Sequence, residues 1–163
     1  MPLTPFHLGP GLLLAGVISS RFFNLWALLL GSVVMDIEPL TLLLINPCYS
    51  CPHHGILHSI LGAILGSLII AVILWKLKTP LNKLSLKFKI QQSFSFPVLF
   101  FSSFSAWLIH IFLDNLTHYD VFLFWPLEYK PLFIGPAIYW PLNFILLVLG
   151  VIGLIILYRK LKK

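Results

Sequence analysis

The sequence predicts an all-α fold: a polytopic transmembrane bundle of four to five short helices, in one membrane-embedded domain over residues 1–163. Three observations carry that expectation. Hydrophobic residues make up 59% of the chain and charged residues 10%, and a mean hydropathy of +0.97 does not describe a water-soluble globule. Apolar segments recur at roughly 8–20, 22–45, 55–75, 96–118 and 138–158, on the scale of a hydrocarbon core about 30 Å thick. Finally, ten of the 11 Lys and Arg residues flank one set of segment ends, while the five carboxylates and six histidines fall at the other.

The first segment follows residues that lack a basic leader region, so it is expected to stay in place as a helix. Along it His7 is followed at four-residue steps by Gly11, Ala15 and Ser19, which share a helix face. In the second segment Ser32 precedes Asp36 by one turn, with Glu38 just beyond. His54 and His58 are four apart at the start of the third, and Gly62 and Gly66 continue that line as a GxxxG expected to admit a neighbouring backbone. The fourth segment carries His110, Asp114 and His118 at four-residue spacing, extended by Ser103, Trp107 and Thr117. Phe104, Leu108, Ile111 and Phe112 take its other faces, so this single polar seam should point inward. The last segment is apolar and ends in Arg159, Lys160, Lys162 and Lys163.

The basic residues set an orientation. Lys76, Lys78, Lys83, Lys87 and Lys89 read as one loop and the basic C-terminus as another cytoplasmic stretch, with Arg21 on the same side. The histidines and acids then face outward. Lys130 alone breaks the rule, in an outer segment, 119–141, whose Trp125, Tyr129, Tyr139 and Trp140 read as an interfacial belt. A net charge of +6 suggests nucleic acid, yet the lysines sit directly beside apolar spans, so topology explains them and the expected partner is the lipid bilayer.

At about 1.5 Å of rise per residue, His7, Asp36, His58, His110 and Asp114 lie about 20 to 27 Å from the basic side, below the outer surface. An unpaired carboxylate at such depth costs at least about 2.5–3.5 kcal/mol, so Asp36 and Asp114 call for a partner or a function. Imidazoles and carboxylates gathered in a low-dielectric pocket suit a borderline divalent cation, Zn²⁺ ahead of Mn²⁺ or Fe²⁺. The expected metal ligands are His7, His54, His58, His110 and Asp114, with all but His7 as the leading set. Asp36 or Glu38 is expected to serve as general base, or to hold a second metal. His53 and His118 stand evenly between ligand and interfacial residue, and Asp120 and Glu128 read as solvated acids. Cys48 and Cys51 form a lone CxxC, which excludes a zinc ribbon. A disulfide stapling the loop before the histidines is favoured over a ligand role.

These motifs carry a resemblance. MPLTPFHLGPG, GSVVMDIEPL, HHGILHS and HIFLDNLTHYDVFLFWPL are similar to blocks of a small integral-membrane family, the membrane-bound metal-dependent hydrolases of the LexA-regulated inner-membrane type and their archaeal relatives. The resemblance covers most of the chain outside 76–96 and the last helix. It implies functional roles for His7, Asp36 with Glu38, His54 with His58, and His110 with Asp114. Glu38 stands where many relatives carry Asp, Asp120 where glycine is common, and His53-His54 where some have His-Arg, which leaves open which of the two histidines is the ligand.

The leading reading is therefore an integral-membrane metal-dependent hydrolase with an outward-facing site. Its substrate would be an ester or phosphoester of an amphiphile, such as a lipid or lipid-linked headgroup, entering under segment 119–141. Intramembrane His and Asp also mark ion or proton paths, so a transporter is the main rival. A non-catalytic scaffold in which metal ties the helices together is the third reading. Neutral histidines bind metal, so metal loss is expected below about pH 6.

Overall fold

In lipid every backbone N–H and C=O must find a partner within the protein, which favours helices. The computed structural model describes residues 4–45, 47–48 and 51–162 and is all-helical, with no strand among the described residues. Its α-helices are α1 (Thr4–Val17), α2 (Leu25–Gly31), α3 (Ile37–Ile45), α4 (Ile60–Lys76), α5 (Lys78–Lys87), α6 (Phe96–Thr117) and α7 (Tyr139–Leu161). Among the described residues, 3 helical stretches are long and apolar enough to cross a membrane, or 4 if the bent α4–α5 pair is one span. The predicted polytopic bundle is thus present, although α1, at 14 residues, is shorter than a full span.

Three elements depart from the sequence expectation. The segment read as continuous over 22–45 is broken: α2 stops at Gly31, a 3₁₀ turn covers Val34–Asp36, and α3 resumes at Ile37. The causes are local. Gly31 packs so tightly on α6 that a Cβ there would overlap the Ser103 backbone, and Ser32 Oγ bonds back to the Leu28 carbonyl at 2.8 Å. Pro39 has no N–H for a continuous ladder and is tolerated only in the first turn of α3. The segment read as starting at 55 instead opens with a 3₁₀ turn, Ile56–His58, and Ser59 caps α4 by accepting from Gly62 N at 3.1 Å. The basic stretch 76–89, read as a loop, is largely the helix α5, bent 76° from α4.

Without a hydrophobic drive between helices in lipid, small residues bring backbones together. Gly9 and Gly16 of α1 lie against the backbone of Leu146 and Gly153 on α7. The predicted GxxxG on α4 works differently at its two positions. Gly62 lies against the backbone of Ile56 and Leu57, but Gly66 makes room for the indole of Trp107, whose Nε1 donates to Leu57 O at 2.8 Å. Trp107 joins Leu99, Ile111, Ala63, Met35 and Ala27 in the core.

The bundle has two distinct ends. At one, Ser93 N donates to Ser20 O at 3.3 Å and Lys160 Nζ to Ile18 O at 3.2 Å, so the Arg21 turn, the α5–α6 connection and the end of α7 meet. At the other lie the histidines and acids. There the chain after α6 is tied down, because Asn115 Nδ2 donates to Val121 O at 2.9 Å and Ile60 N to Leu123 O at 2.9 Å. Lys130, the basic residue out of place by charge, lies 5.0–5.6 Å from the ring centres of Tyr119, Phe122 and Phe133. A cation–π cage accounts for its position.

Candidate metal centre

The inward seam of α6 supplies the middle of the site. Ser103, Trp107, His110, Asp114 and Thr117 are all buried, whereas Phe101 and Phe112 of the same helix are exposed. The break between α2 and α3 then matters twice. It swings Asp36 toward α6 on the 3₁₀ turn, and it leaves carbonyls at the end of α2 without helical partners. One of these, Ser32 O, lies 2.7 Å from His110 Nδ1. A carbonyl only accepts, so Nδ1 carries a proton and Nε2 is the ring nitrogen left to face the site.

His58 is held in the same way. Its Nδ1 lies 2.9 Å from Glu38 Oε2, and Glu38 also accepts from Gly55 N at 2.9 Å and Leu57 N at 3.1 Å. One carboxylate thus fixes both the ring of His58 and the turn that carries it. Such a His–carboxylate pair is the usual outer support of a metal-ligating imidazole.

The two Nε2 atoms converge on two carboxylates. His110 Nε2 is 3.0 Å from Asp114 Oδ2 and 3.2 Å from Asp36 Oδ1, and His58 Nε2 is 3.6 and 3.7 Å from the same two oxygens. Ligand atoms of these four residues lie within 4.8 Å of one another. Neither Nε2 has an aligned hydrogen-bond partner, nor do Asp36 Oδ2 and Asp114 Oδ1, and all are buried. Ligand atoms about 2.0–2.1 Å from a tetrahedral zinc are separated by about 3.3 Å. The observed separations bracket that value, so the donor set fits a small divalent cation.

Around this group the predicted residues divide. His7 is buried on α1, its ring centre 3.8 Å from that of His110 and its Nε2 3.5 Å from Asp114 Oδ1. It abuts the four-residue group without belonging to it. His54, expected beside His110 and Asp114, falls instead into a second group with His118 and Asp120, again with ligand atoms within 4.8 Å. α4 begins only at Ile60, so His54 and His58 do not share a helix face, although their ring centres lie 4.4 Å apart. Of the two adjacent histidines, His54 is the one in a cluster, and His53 lines the neighbouring cleft.

Asp120, read as a solvated acid, is 5% exposed. It accepts from His53 N at 2.7 Å and His54 N at 3.2 Å, and its Oδ2 lies 2.9 Å from His54 Nδ1. Burial alone would raise its carboxyl, but the bond to His54 and the backbone N–H of His53 hold it well below the usual carboxylate range. Burial pushes the His118 imidazole down to about 4, against the pull of the Asp114 carboxylate. Glu128 lies on the exposed part of the loop. Cys48 and Cys51 form the disulfide favoured from the sequence.

Two clefts border the two groups, one each, and share Pro39 and Leu43 in their walls. One, of about 410 Å³, is lined by Val33, Val34, Ile37 and Leu40, with Asp36 as its ionisable residue. The other, of about 260 Å³, is bordered by His54, His118, Tyr119 and Asp120.

A helical bundle that embeds a buried His–carboxylate cluster near one end defines a polytopic integral-membrane protein with a candidate metal centre. The model of the YdjM inner membrane protein family matches residues 1–162, and the chain belongs to that family. No curated protein and no solved structure matches it. Family membership agrees with the membrane resemblance of the motifs and by itself assigns no reaction.

Proposed function

We propose that this protein is a metal-dependent hydrolase of the membrane, acting on an ester or phosphoester of an amphiphilic, lipid-like substrate. The observation that carries this reading is the convergence of His58 Nε2 and His110 Nε2, both buried and without aligned hydrogen bonds, on Asp36 Oδ1 and Asp114 Oδ2 at separations that suit ligands of one cation. His58, His110 and Asp114 would hold the ion, Zn²⁺ by the N/O donor set, with Mn²⁺ or Fe²⁺ next. A cation bound there supplies Lewis acidity and lowers the pKa of a coordinated water toward neutrality.

Asp36 would supply a fourth ligand and lines the larger cleft, and its buried Oδ2 has no hydrogen-bond partner. It either completes the shell or yields it and accepts a proton from the attacking water, which makes it the general base. Glu38, the other acid considered for that role, has its oxygens engaged by two backbone N–H groups and His58. It is a positioning residue. The apolar cleft beside Asp36 suits an alkyl chain, while the smaller cleft offers polar groups to a headgroup. The basic loop and tail argue for an outward-facing site, and the Cys48–Cys51 disulfide favours the same oxidising side.

A conduction path is poorly supported. Between the centre and the basic end, Ser103 Oγ is bonded to Leu99 O at 3.0 Å and Ser102 Oγ to Val98 O at 2.5 Å, so these hydroxyls are spent on the backbone.

The test is elemental analysis of the gently purified protein, followed by turnover of a panel of phospholipids and soluble phosphoesters. Bound divalent metal is expected, with turnover lost in His58→Ala and Asp114→Asn and metal content reduced in both. Metal-free wild-type protein that hydrolyses the panel, or full activity in those variants, would overturn the proposal.

A further inference from the structure

We infer that His54, His118 and Asp120 form a second divalent-cation site, joined to the first through Asp114, so that the centre holds two cations. The three residues come from separate stretches: the turn before α4, the C-cap of α6, and the chain just beyond it. One ligand atom from each lies within 4.8 Å of the others.

Their unmet valences point the same way. His54 is 9% exposed, and neither of its ring nitrogens has an aligned hydrogen bond. This holds although Nδ1 sits only 2.9 Å from Asp120 Oδ2. His118 Nε2 is likewise buried and unpartnered, and its ring centre is 4.9 Å from that of His54. A buried polar atom left in this state is costly to the fold. Two imidazoles and one carboxylate around a shared cation satisfy several such atoms together. A simple His54–Asp120 bond would still leave His54 Nε2 and His118 Nε2 stranded.

The carboxylate is built to serve. Backbone N–H groups of His53 and His54 fix Asp120 in place, and a carboxylate has about four acceptor directions, so some remain for an ion. The cleft of about 260 Å³ beside these residues gives access.

Asp114 links the two groups. Its Oδ2 faces His110 and His58, whereas its Oδ1 lies 3.9 Å from His118 Nε2 and 3.5 Å from His7 Nε2. One carboxylate therefore presents a different oxygen to each site, the arrangement expected of a bridging ligand. Paired cations stabilise both the attacking and the leaving oxygen of an in-line displacement. On the hydrolase reading, on which this last step rests, the pair favours a phosphoester over a carboxylic ester.

The experiment uses the full chain in mild detergent, stripped with chelator and titrated with Zn²⁺, with stoichiometry read by elemental analysis after desalting. Wild-type protein should hold two equivalents. Asp120→Asn, which is isosteric, and His118→Ala should each hold one, and Asp36→Asn, from the first group, should keep the one at the second site. Co²⁺ loading adds a readout independent of activity: magnetic coupling between the ions in the wild type, and its loss in Asp120→Asn. Size-exclusion elution and helical circular dichroism identify variants that fold, and Asp120→Asn decides if His118→Ala does not. One equivalent in the wild type, unchanged in Asp120→Asn, overturns the second site and leaves the first standing. Two equivalents retained, or both lost, in folded Asp120→Asn overturns the assignment of these ligands. No bound metal in wild type overturns this proposal and the hydrolase reading together.

Discussion

The two ends of this bundle bury polar side chains in opposite ways. At the basic end both polar atoms of the Asn24 side chain are bonded: Oδ1 accepts from Ala27 N at 3.1 Å and Nδ2 donates to Ser93 O at 2.8 Å. Nearby, Ser85 Oγ accepts from Trp26 Nε1 at 2.9 Å and Gln92 Nε2 at 2.8 Å, and Gln92 Oε1 accepts from Leu25 N at 2.8 Å. At the other end, atoms of His7, Asp36, His54, His58, His110, Asp114 and His118 are just as buried but lack aligned partners. A satisfied buried network adds rigidity, while an unsatisfied one is costly and persists where something else completes it. The comparison separates polarity that serves the fold from polarity that awaits a ligand.

The largest expected effect breaks the comparison outright if it fails. Asp114→Asn should remove bound metal to background by elemental analysis, because it takes a charge from both groups of ligands. Asn24→Ala, at the satisfied end, should leave metal content unchanged. Equal metal loss in both variants would mean that the two ends do not differ in kind.

Stripping the metal is the next largest. A ligand that binds only the folded state stabilises it by about 2.7 kcal/mol at 100 times its dissociation constant. Chelation should therefore lower the thermal midpoint in detergent, and Zn²⁺ at that excess should restore it. Asn24→Ala should lower the midpoint by a comparable amount with or without metal. Loss of an N-cap costs about 0.5–2 kcal/mol, and Ser93 O loses its donor as well. A midpoint insensitive to chelator would place the His-rich end with the structural one.

Much of this contrast was legible in the sequence where one long helix carries the signal. His110, Asp114 and the inward seam follow from four-residue spacing, since α6 runs unbroken from Phe96 to Thr117. For His54 the rule had no helix to act on, because the chain before Ile60 holds only a short 3₁₀ turn, yet its ring centre still lies 4.4 Å from that of His58. Asp120 was hidden for another reason. Its burial depends on contacts from Asn115 to Val121 and from Ile60 to Leu123, neither of which has a local sequence pattern. The support from Ser32 was partly visible, since a Gly-Ser step four residues before Met35-Asp36, with Pro39 beyond, marks a weak point in a helix. The polar network at the basic end looks in sequence like scattered Ser, Asn and Gln, and only the meeting of α2, α5 and α6 gathers it.

A subtler expectation concerns support rather than ligation. Glu38→Gln keeps an acceptor for His58 but removes the charge that favours its Nδ1–H, so metal affinity should fall about 10- to 100-fold, the usual cost of losing such a partner. Competition with a chelating dye measures it. The helical content and the metal stoichiometry at saturation should not change, which distinguishes a positioning residue from a ligand. An unchanged affinity would show that the Gly55–Leu57 turn is held without this carboxylate.

The smallest effect is a slope. In the metal-free protein burial lowers the His118 pKa from 6.5 to about 4, so between those values the unfolded chain binds the proton that the folded chain refuses. Stability must then rise with pH across that window and fall as pH drops from about 6.5 toward 4. Asp120 adds to the same trend at lower pH, since its depressed carboxyl contributes stability above the unfolded value that is lost as pH falls toward the folded one. His118→Gln should flatten the dependence of the thermal midpoint between pH 6.5 and 4 measured in chelator. In metal-loaded wild type the same acidification should be steeper, because below about pH 6 protons compete with the cation for each histidine. Identical slopes in loaded and stripped protein would mean that the imidazoles titrate without reference to a metal.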